Sequence, residues 1–334
     1  MTDEWTLEHV SEVSRGFMKS RVIITAAELD LFSHLAENPP MTAEDLARIH
    51  CWDVRGLTIL MDALAAQGLL LKGADATYRV PETVTRFLTR KGSETILPLV
   101  LHSARMWQSW SHLTQIVKTG HNPNPMGLAS RSDEDLESFI GAMHVIGKRL
   151  ADQIVADIDV NRFSHLLDVG GGSGVYTISF LKKAPQLEAT LFDLPRVITI
   201  AERFLAQEGF RTRVNLVAGD YHQDPLPTGY DVALLSAVIH INSREENERL
   251  FRKVYQALLP GGTIIIRDHI MSPCRTEPAD GALFAVNMLV ATRGGSTYTF
   301  EEIREDLEAA GFTRVRLIRQ GERMDQVVEA IRPL

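Results

Sequence analysis

The chain has 334 residues, of which 45% are hydrophobic and 23% charged, so it can bury a sizeable core and is long enough for two domains. Its formal net charge of -8 disfavours a free-standing nucleic-acid binder, which usually carries a basic excess. Cys51 and Cys274 are far apart and predict neither a disulfide framework nor a zinc ribbon. The sequence shows no secretory signal and no apolar run of membrane-spanning length, so a soluble, cytoplasmic protein without a membrane partner is expected.

The N-terminal part of the chain predicts helices. Apolar residues recur at helical spacing throughout residues 6–36. Thr42 with Asp45 three residues later predicts a capping box at the start of a further helix. Another helix is predicted over residues 54–67, and Gly68 should end it.

A small hairpin follows these helices. Residues 69–72 and 77–80 are short β-rich runs separated by a turn, so the segment has the outline of a winged helix. The helix that would read DNA carries Asp53, Arg55 and Asp62, with few cations to meet phosphates. A packing or dimerisation module is therefore favoured over a DNA-binding one.

Residues 97–156 are predicted to be mainly helical, with a loop at 120–125. From His165 onward, short β-rich runs alternate with helical stretches, which predicts a parallel sheet with right-handed crossovers. The strands are predicted at residues 166–169, 189–193, 214–217, 231–238, 263–267, 315–318 and 326–330. Because only a short turn at Gly321 separates the last two strands, they should be antiparallel.

The strongest local signal is the run DVGGGSG, residues 168–174, between a predicted strand and a predicted helix. Its glycines let the backbone approach a ligand closely. The spacing G-x-G-x-G differs from the G-x-G-x-x-G typical of pyrophosphate binding. Asp168 would repel a diphosphate but suits a cationic ligand that carries an ammonium and a sulfonium. A purely structural tight turn would read the same way.

Two more acidic residues end the next two predicted strands. Asp193 stands where a carboxylate accepts ribose hydroxyl protons. Asp220 can accept from an adenine amino group, and Tyr221 can flank the ring. Each carboxylate alone could be a helix N-cap, but three at successive strand ends favour a nucleotide site.

Five runs appear in a fixed order: DVGGGSG, LFDLPRVI, GDYHQDPLP, LLSAVIHIN and LLPGGTIIIRD. Together they resemble the class I methyltransferase core of the plant-type and bacterial small-molecule O-methyltransferases. The opening GFMKSRVIITAAELDLFSHLAENPPMTAEDLA resembles the dimerisation domain of that family. The resemblance covers nearly the whole chain and is specific for the family, but much less so for the substrate.

The resemblance implies an α/β fold with a Rossmann-like, seven-stranded core whose last strand is antiparallel. It implies a mainly α-helical winged-helix dimerisation domain at residues 1–100, which pairs two copies into a homodimer. The methyltransferase domain would then occupy residues 101–334, including linking helices over 101–160. The cofactor would be S-adenosylmethionine, with S-adenosylhomocysteine as product. Its implied contacts are Met143, Asp168, Gly170, Gly172, Asp193, Leu194, Gly219, Asp220, Tyr221 and Ser236.

His240 is the candidate general base because it closes the fourth predicted strand of the sheet and matches the catalytic histidine of the family. Asp268 ends the neighbouring strand and could accept a proton from the second imidazole nitrogen. Strand alternation should point His269 the other way. A structural, hydrogen-bonded histidine is the alternative for His240. No His/Asp cluster has metal-ligand spacing, so no metal is expected.

The chain departs from the family at two catalytic positions. His240-Ile241-Asn242 replaces the frequent His-Asp-Trp, and Thr297 stands about where a glutamate is common. A changed reaction, such as carbon methylation or a loss of methyl transfer, therefore stays open. Candidate acceptor-binding side chains, which core packing would explain equally well, are Trp107, Trp110, Phe284, Asn287 and Met288.

Two other classes of function remain as alternatives. A nicotinamide-dependent oxidoreductase would need G-x-G-x-x-G and room for a diphosphate, which the leading aspartate opposes. A non-enzymatic regulator built on the winged helix would need a basic recognition face, which is missing.

Overall fold

The structure is a computed structural model that describes residues 4–122 and 131–334. The chain divides into two compact units, residues 1–108 and 109–334. The loop predicted at residues 120–125 lies partly outside the described residues, which stop at Asn122. No helix in the described part of the chain combines the length and the apolar character needed to cross a membrane.

The N-terminal unit consists of helices and one short hairpin. Its elements are α1 (Leu7–Glu28), α2 (Leu31–Glu37), α3 (Ala43–His50), α4 (Val54–Ala66), β1 (Leu71–Lys72), β2 (Tyr78–Arg79), α5 (Glu82–Leu88) and the start of α6 (Leu97–Trp110). The predicted capping box is confirmed, because the Thr42 hydroxyl accepts from the Asp45 backbone and the Asp45 carboxylate accepts from the Thr42 backbone. A bridge between Met41 and Tyr78 extends the hairpin, which completes the winged-helix outline.

The second unit contains one large sheet with helices on both faces. Its helices are α7 (Leu113–Thr119), α8 (Asp133–Ala156), α9 (Val175–Lys183), α10 (Pro195–Gln207), α11 (Arg244–Ala257), α12 (Ala279–Ala291) and α13 (Phe300–Ala309). Its strands are β3 (His165–Val169), β4 (Glu188–Asp193), β5 (Val214–Ala218), β6 (Tyr230–Ser236), β7 (Leu258–Asp268), β8 (Ile270–Met271), β9 (Tyr298–Thr299), β10 (Thr313–Arg319) and β11 (Gln326–Ile331).

The seven-stranded sheet has the order β10-β11-β7-β6-β3-β4-β5. Strands β3 to β7 are parallel to one another, whereas β11 is antiparallel to both β7 and β10. The predicted seven-stranded sheet and its antiparallel last strand are therefore confirmed. The chain runs outward through β3, β4 and β5 and then returns to β6 beside β3. This reversal creates a crevice at the carboxyl ends of the strands, where open α/β sheets bind ligands.

Alternation along each strand divides the apolar side chains between two cores. Leu166 of β3 faces a core shared with α8, α9 and α10, whereas Leu167 faces the core formed with α11 and α13. Because both faces are covered, the strands are continuous apolar runs that end in polar residues at the crevice. Those polar ends carry the candidate site.

Candidate active site

The turn after β3 depends on three glycines with left-handed backbone angles. Their φ values are 70° at Gly170, 57° at Gly172 and 78° at Gly174, which residues with a Cβ rarely adopt. The Gly170 N–H donates to the carbonyl of Phe192 in β4 at 2.8 Å. A Cβ built on Gly172 would meet no atom within 4 Å, so this glycine borders open space. The turn thus presents bare backbone to the crevice.

Asp193, the last residue of β4, holds this turn in place. Its buried carboxylate accepts the N–H of Gly172 at 2.8 Å and the N–H of Leu194 at 2.7 Å. Burial raises the pKa of Asp193 to about 6, against the lowering effect of these two hydrogen bonds. The carboxylate at the end of β4 therefore connects directly to the glycine turn after β3.

Asp168 lies in β3 with only 1% of its surface exposed. One carboxylate oxygen accepts from the Thr177 hydroxyl at 2.6 Å, and the other, Oδ1, is buried without a hydrogen-bond partner. Burial raises the pKa of Asp168 to about 7; the Thr177 hydrogen bond opposes the shift and the nearby Asp193 adds to it. Two desolvated carboxylates in one crevice form an environment that favours a cation.

The segment after β5 forms a tight turn beside Asp193. The Gly219 N–H donates to the Asp193 carbonyl at 2.9 Å. The two carboxylate oxygens of Asp220 accept from the His222 backbone and from the Gln223 side chain, each at 2.9 Å. The structure thus brings Gly219 and Asp220 to the same sheet edge as Asp193.

Tyr221 follows in this turn and reaches back towards the glycine turn. Its ring carbon Cε1 lies 4.0 Å from the position that a Cβ on Gly170 would occupy. Its hydroxyl donates to the Asn242 side chain at 3.3 Å. Burial, aided by the Asp193 charge, raises the pKa of Tyr221 well above its usual range, so the hydroxyl stays protonated.

His240 lies in a 3-10 turn, Ile239–Ile241, and not at the end of a strand. The prediction that β6 extends to Val238 is wrong, because β6 ends at Ser236 and Ala237 has a φ of 60°, which breaks the extended backbone. The turn nevertheless carries the imidazole to β7, where Nδ1 lies 2.8 and 2.9 Å from the two carboxylate oxygens of Asp268.

The His240–Asp268 pair is buried, with 6% and 0% of the two residues exposed. Burial alone would raise the pKa of Asp268, but the charge and hydrogen bond of His240 and the His269 backbone N–H hold it below its ordinary value. An ionised Asp268 accepts the Nδ1–H of His240, which leaves the lone pair on Nε2.

His269, which strand alternation is expected to point the other way from Asp268, contacts the same phenyl ring as His240. The centroid of the Phe284 ring lies 4.8 Å from that of His240 and 5.0 Å from that of His269, so one phenyl ring contacts both imidazoles. Because β7 ends at Asp268, alternation along the strand does not by itself fix the direction of the His269 side chain, which stays a prediction. His269 is buried, which lowers its imidazole pKa.

Two further residues implied as cofactor contacts lie on α8 and at the end of β6. Met143 is half-buried on α8, next to His144, whose Nδ1 lies 3.0 Å from the Ser173 hydroxyl. Ser236 ends β6, and its hydroxyl accepts from the Arg267 guanidinium at 3.3 Å.

The candidate acceptor residues fall in both units. In the second unit, the Trp110 indole N–H donates to the Asn287 side chain at 3.0 Å, and Met288, which follows Asn287 in α12, is buried. Trp107 belongs to the N-terminal unit, where its ring centroid lies 6.2 Å from that of Phe17. Among residues 4–122 and 131–334, no three His, Cys, Asp or Glu side chains are grouped as a metal site would require.

Sequence reasoning missed Thr177, Tyr176 and Arg267. Thr177 and Tyr176 are in the first turn of α9, where nothing distinguishes them from ordinary helix residues. Arg267 carried a readable signal, because it places a charge at the end of the buried run Ile264-Ile265-Ile266. A cation there interrupts the apolar pattern of a central strand and marks the position as a candidate site residue.

Comparison with known proteins matches both units to one family. Residues 110–313 match the O-methyltransferase domain, and residues 11–90 match the O-methyltransferase dimerisation domain. The chain is 30% identical over 316 residues to the tetracenomycin polyketide synthesis 8-O-methyl transferase TcmO of Streptomyces glaucescens, covering 92% of this chain and 91% of that protein.

A second relative, 3-hydroxy-5-methyl-1-naphthoate 3-O-methyltransferase of Streptomyces sahachiroi, is 30% identical over 315 residues, covering 93% of this chain and 90% of the relative. Among solved structures, human N-acetylserotonin methyltransferase in complex with SAM is similar with a TM-score of 0.84, 25% identity and full coverage of both chains. The chain therefore belongs to the O-methyltransferase family and is an S-adenosylmethionine-dependent methyltransferase.

Proposed function

We propose that this enzyme methylates a hydroxyl group, of phenolic type, on a small aromatic molecule, with His240 as general base and Asp268 as the residue that orients it. The observation that carries the proposal is the buried contact of 2.8 Å between His240 Nδ1 and Asp268. This pair lies at the same sheet edge as the two desolvated carboxylates, Asp168 and Asp193.

The cofactor residues fit a cationic nucleoside. Asp168 has a buried oxygen without a partner, and Gly172 borders open space, so an ammonium group can be accepted there without displacing a protein contact. S-Adenosylmethionine supplies a methyl group bound to a positively charged sulfur. Asp193 is proposed to bind the ribose. The other proposed cofactor contacts are Met143, Gly170, Leu194, Gly219, Asp220, Tyr221 and Ser236.

His240 would remove the proton of the acceptor hydroxyl. Because Asp268 accepts the Nδ1–H, Nε2 is the nitrogen free to take that proton, and the Asp268 carboxylate stabilises the resulting imidazolium. S-Adenosylmethionine, held by Asp168 and Asp193, would supply the methyl group that the deprotonated acceptor oxygen receives. A phenol has a pKa of about 10 and is therefore mostly protonated at neutral pH. A general base that removes its proton in the transition state accelerates such a reaction roughly 10²–10⁴-fold.

The acceptor is proposed to lie against Phe284, whose ring contacts His240. Asn287, Met288 and Trp110 are proposed to line the same site, which suits a flat, partly apolar molecule. The names of two relatives point in this direction, since hydroxynaphthoate and N-acetylserotonin both carry a hydroxyl on an aromatic ring system. A role of Trp107 towards the acceptor stays a prediction.

The test is methyl transfer to 3-hydroxy-5-methyl-1-naphthoate and to N-acetylserotonin, with calorimetric titration of S-adenosylhomocysteine alongside. His240→Gln should lower kcat at least about 100-fold and leave the affinity for S-adenosylhomocysteine unchanged. The matched control is His165→Gln, which removes an exposed imidazole at the start of β3. A His240→Gln enzyme as fast as the control would eliminate general-base catalysis, and a methyl group found on carbon in the product would eliminate O-methylation.

We also propose that the enzyme is a homodimer paired through its N-terminal unit. That segment matches a dimerisation domain, and α1 exposes large apolar side chains that a monomer would leave in water. These side chains are Leu7, Val10, Val13, Phe17 and Met18. Sedimentation should give twice the chain mass, and Val13→Glu should shift it towards the monomer; a monomeric wild type would refute the pairing.

A further inference from the structure

The crevice contains a cation that the mechanism above does not use. Arg267 ends the apolar part of β7 and is only 4% exposed. Its Nη1 donates to the Ser236 hydroxyl at 3.3 Å, and its Nε is buried without a hydrogen-bond partner. A buried guanidinium is normally paired with an anion, because burying an unpaired charge costs several kcal/mol.

No side-chain carboxylate within the described ranges, 4–122 and 131–334, forms an ion pair with Arg267. Asp268 is its neighbour in sequence, but alternation puts it on the other face of β7, where it is bonded to His240. The guanidinium instead stacks on the Tyr176 ring, with Cζ 4.9 Å from the centroid. The Tyr176 hydroxyl is also buried without a partner.

These groups lie on the face of the sheet that carries the glycine turn. Tyr176 is the second residue of α9, which begins directly after Gly174. Ser236 pairs with Arg267 across the β6–β7 ladder, and Leu234, two residues earlier on the same face, pairs with Asp168 of β3. Arg267 therefore extends over β6 towards β3. Two donors without partners, Arg267 Nε and the Tyr176 hydroxyl, thus lie on the same face of the sheet as Asp168 Oδ1, an acceptor without a partner.

We propose that Arg267, held by Ser236 and Tyr176, binds the carboxylate of the amino-acid end of the cofactor, opposite the Asp168 carboxylate that binds the ammonium. An acceptor-only group such as a carboxylate satisfies the Nε–H of Arg267 and the hydroxyl of Tyr176, while an ammonium satisfies Asp168 Oδ1. Only a zwitterion supplies both. This assignment rests on the proposed cofactor site and adds to it the residue that recognises the negative end.

The experiment is calorimetric titration with two ligands that differ only in the carboxylate: S-adenosylhomocysteine and its decarboxylated analogue S-adenosyl-3-thiopropylamine. The wild type should bind S-adenosylhomocysteine about 10- to 100-fold more tightly, as expected for charge-assisted hydrogen bonds. In Arg267→Met that preference should vanish, with the affinity for the analogue changed less than about threefold. Arg249→Met, at an exposed arginine on α11, is the matched control and should keep the full preference.

An Arg267→Met variant that keeps the preference, or that weakens both ligands by the same factor, would overturn the assignment. If this variant does not fold, Arg267→Lys is the test, because lysine keeps the charge but lacks the planar guanidinium group. Its preference for S-adenosylhomocysteine over the analogue should be smaller than in the wild type but not lost. An unchanged preference would refute the proposal. A wild type that binds both ligands equally also refutes the role of Arg267 while the cofactor site stands. A wild type that binds neither ligand removes the cofactor site itself.

Discussion

Asp168→Asn should make the ligand-free enzyme more stable at pH 8 while it weakens cofactor binding. Asp168 is buried, and its pKa is raised from the ordinary value of 3.8 to about 7. The folded state therefore holds a carboxylate whose ionisation is much less favourable than in the unfolded chain. Asparagine has nearly the same shape and carries no charge, so it removes this penalty.

The magnitude follows from the shift in pKa. A rise from 3.8 to about 7 is about three units, and each unit corresponds to about 1.4 kcal/mol, so the ionised carboxylate destabilises the fold by about 4 kcal/mol at pH 8. The asparagine oxygen can still accept from Thr177, but its amide group then stands where Oδ1 has no partner, which costs about 1–3 kcal/mol. The variant should gain about 1–3 kcal/mol in the free energy of unfolding.

The sign of the pH dependence provides the check. The folded state binds the Asp168 proton more tightly than the unfolded state does, so between about pH 4 and pH 7 this residue makes the wild type less stable as pH rises. Both proteins should be unfolded in urea without ligand at pH 8 and at pH 5. The free energy of unfolding of the variant minus that of the wild type should be about 2–3 kcal/mol lower at pH 5 than at pH 8. An advantage that is absent at pH 8, or equal at both pH values, would refute the reasoning.

Three further outcomes are expected. The affinity for S-adenosylhomocysteine should fall about 10- to 100-fold from pH 8 to pH 5.5 in calorimetry, because Asp168 and Asp193, with pKa values raised to about 7 and about 6, become protonated; a flat profile would contradict this. Thr42→Ala should lower the free energy of unfolding in urea by about 1 kcal/mol, and Thr42→Ser should lower it much less, since only the alanine removes the capping box. Equal decreases in the two variants would exclude the cap as the cause. Gly171→Ala should lower the free energy of unfolding by about 1–3 kcal/mol in the same assay, because the added Cβ would lie 2.7 Å from Leu191 Cγ. An unchanged free energy of unfolding would mean that the turn can shift to make room for the Cβ.

The positions and the parallel direction of the central strands could be predicted from the sequence for a physical reason. Strands buried on both faces read as continuous apolar runs, and each run ends in a polar residue where the sheet meets the crevice. Asp193 and Asp268 are such ends, Asp168 is the next-to-last residue of β3, and the structure places all three at one edge of the sheet.

The end of β6 could not be predicted because its continuation is equally apolar. Val238 and Ile239 are buried and look like further strand residues, but Ile239 begins the 3-10 turn Ile239–Ile241 and Val238 is its N-cap. His240 was found by its position in the chain, while the turn that presents it depends on a positive φ at an alanine, which no sequence pattern marks.

The direction of the His269 side chain cannot be derived from strand alternation for a related reason. The alternation rule assumes that the extended backbone continues, and the β7 ladder stops one residue earlier, at Asp268. The contact of Phe284 with both imidazoles is a tertiary feature, since α12 follows the strand by ten residues and its packing against the crevice depends on side chains of both elements.

The two sides of the crevice differ in how completely their polar groups are satisfied. The His240–Asp268 pair already has its hydrogen bonds, as a catalytic pair needs if it is to be in position before the acceptor arrives. On the other side, Asp168 Oδ1, the Tyr176 hydroxyl and Arg267 Nε are buried and lack partners. Buried polar groups without hydrogen-bond partners lower the stability of the free protein. A ligand of matching charge that bonds to these groups removes that destabilisation and so stabilises the folded state. Cofactor binding should therefore raise the thermal stability of the enzyme, and by less in Asp168→Asn, because the asparagine carries no negative charge to pair with the ammonium group of the cofactor.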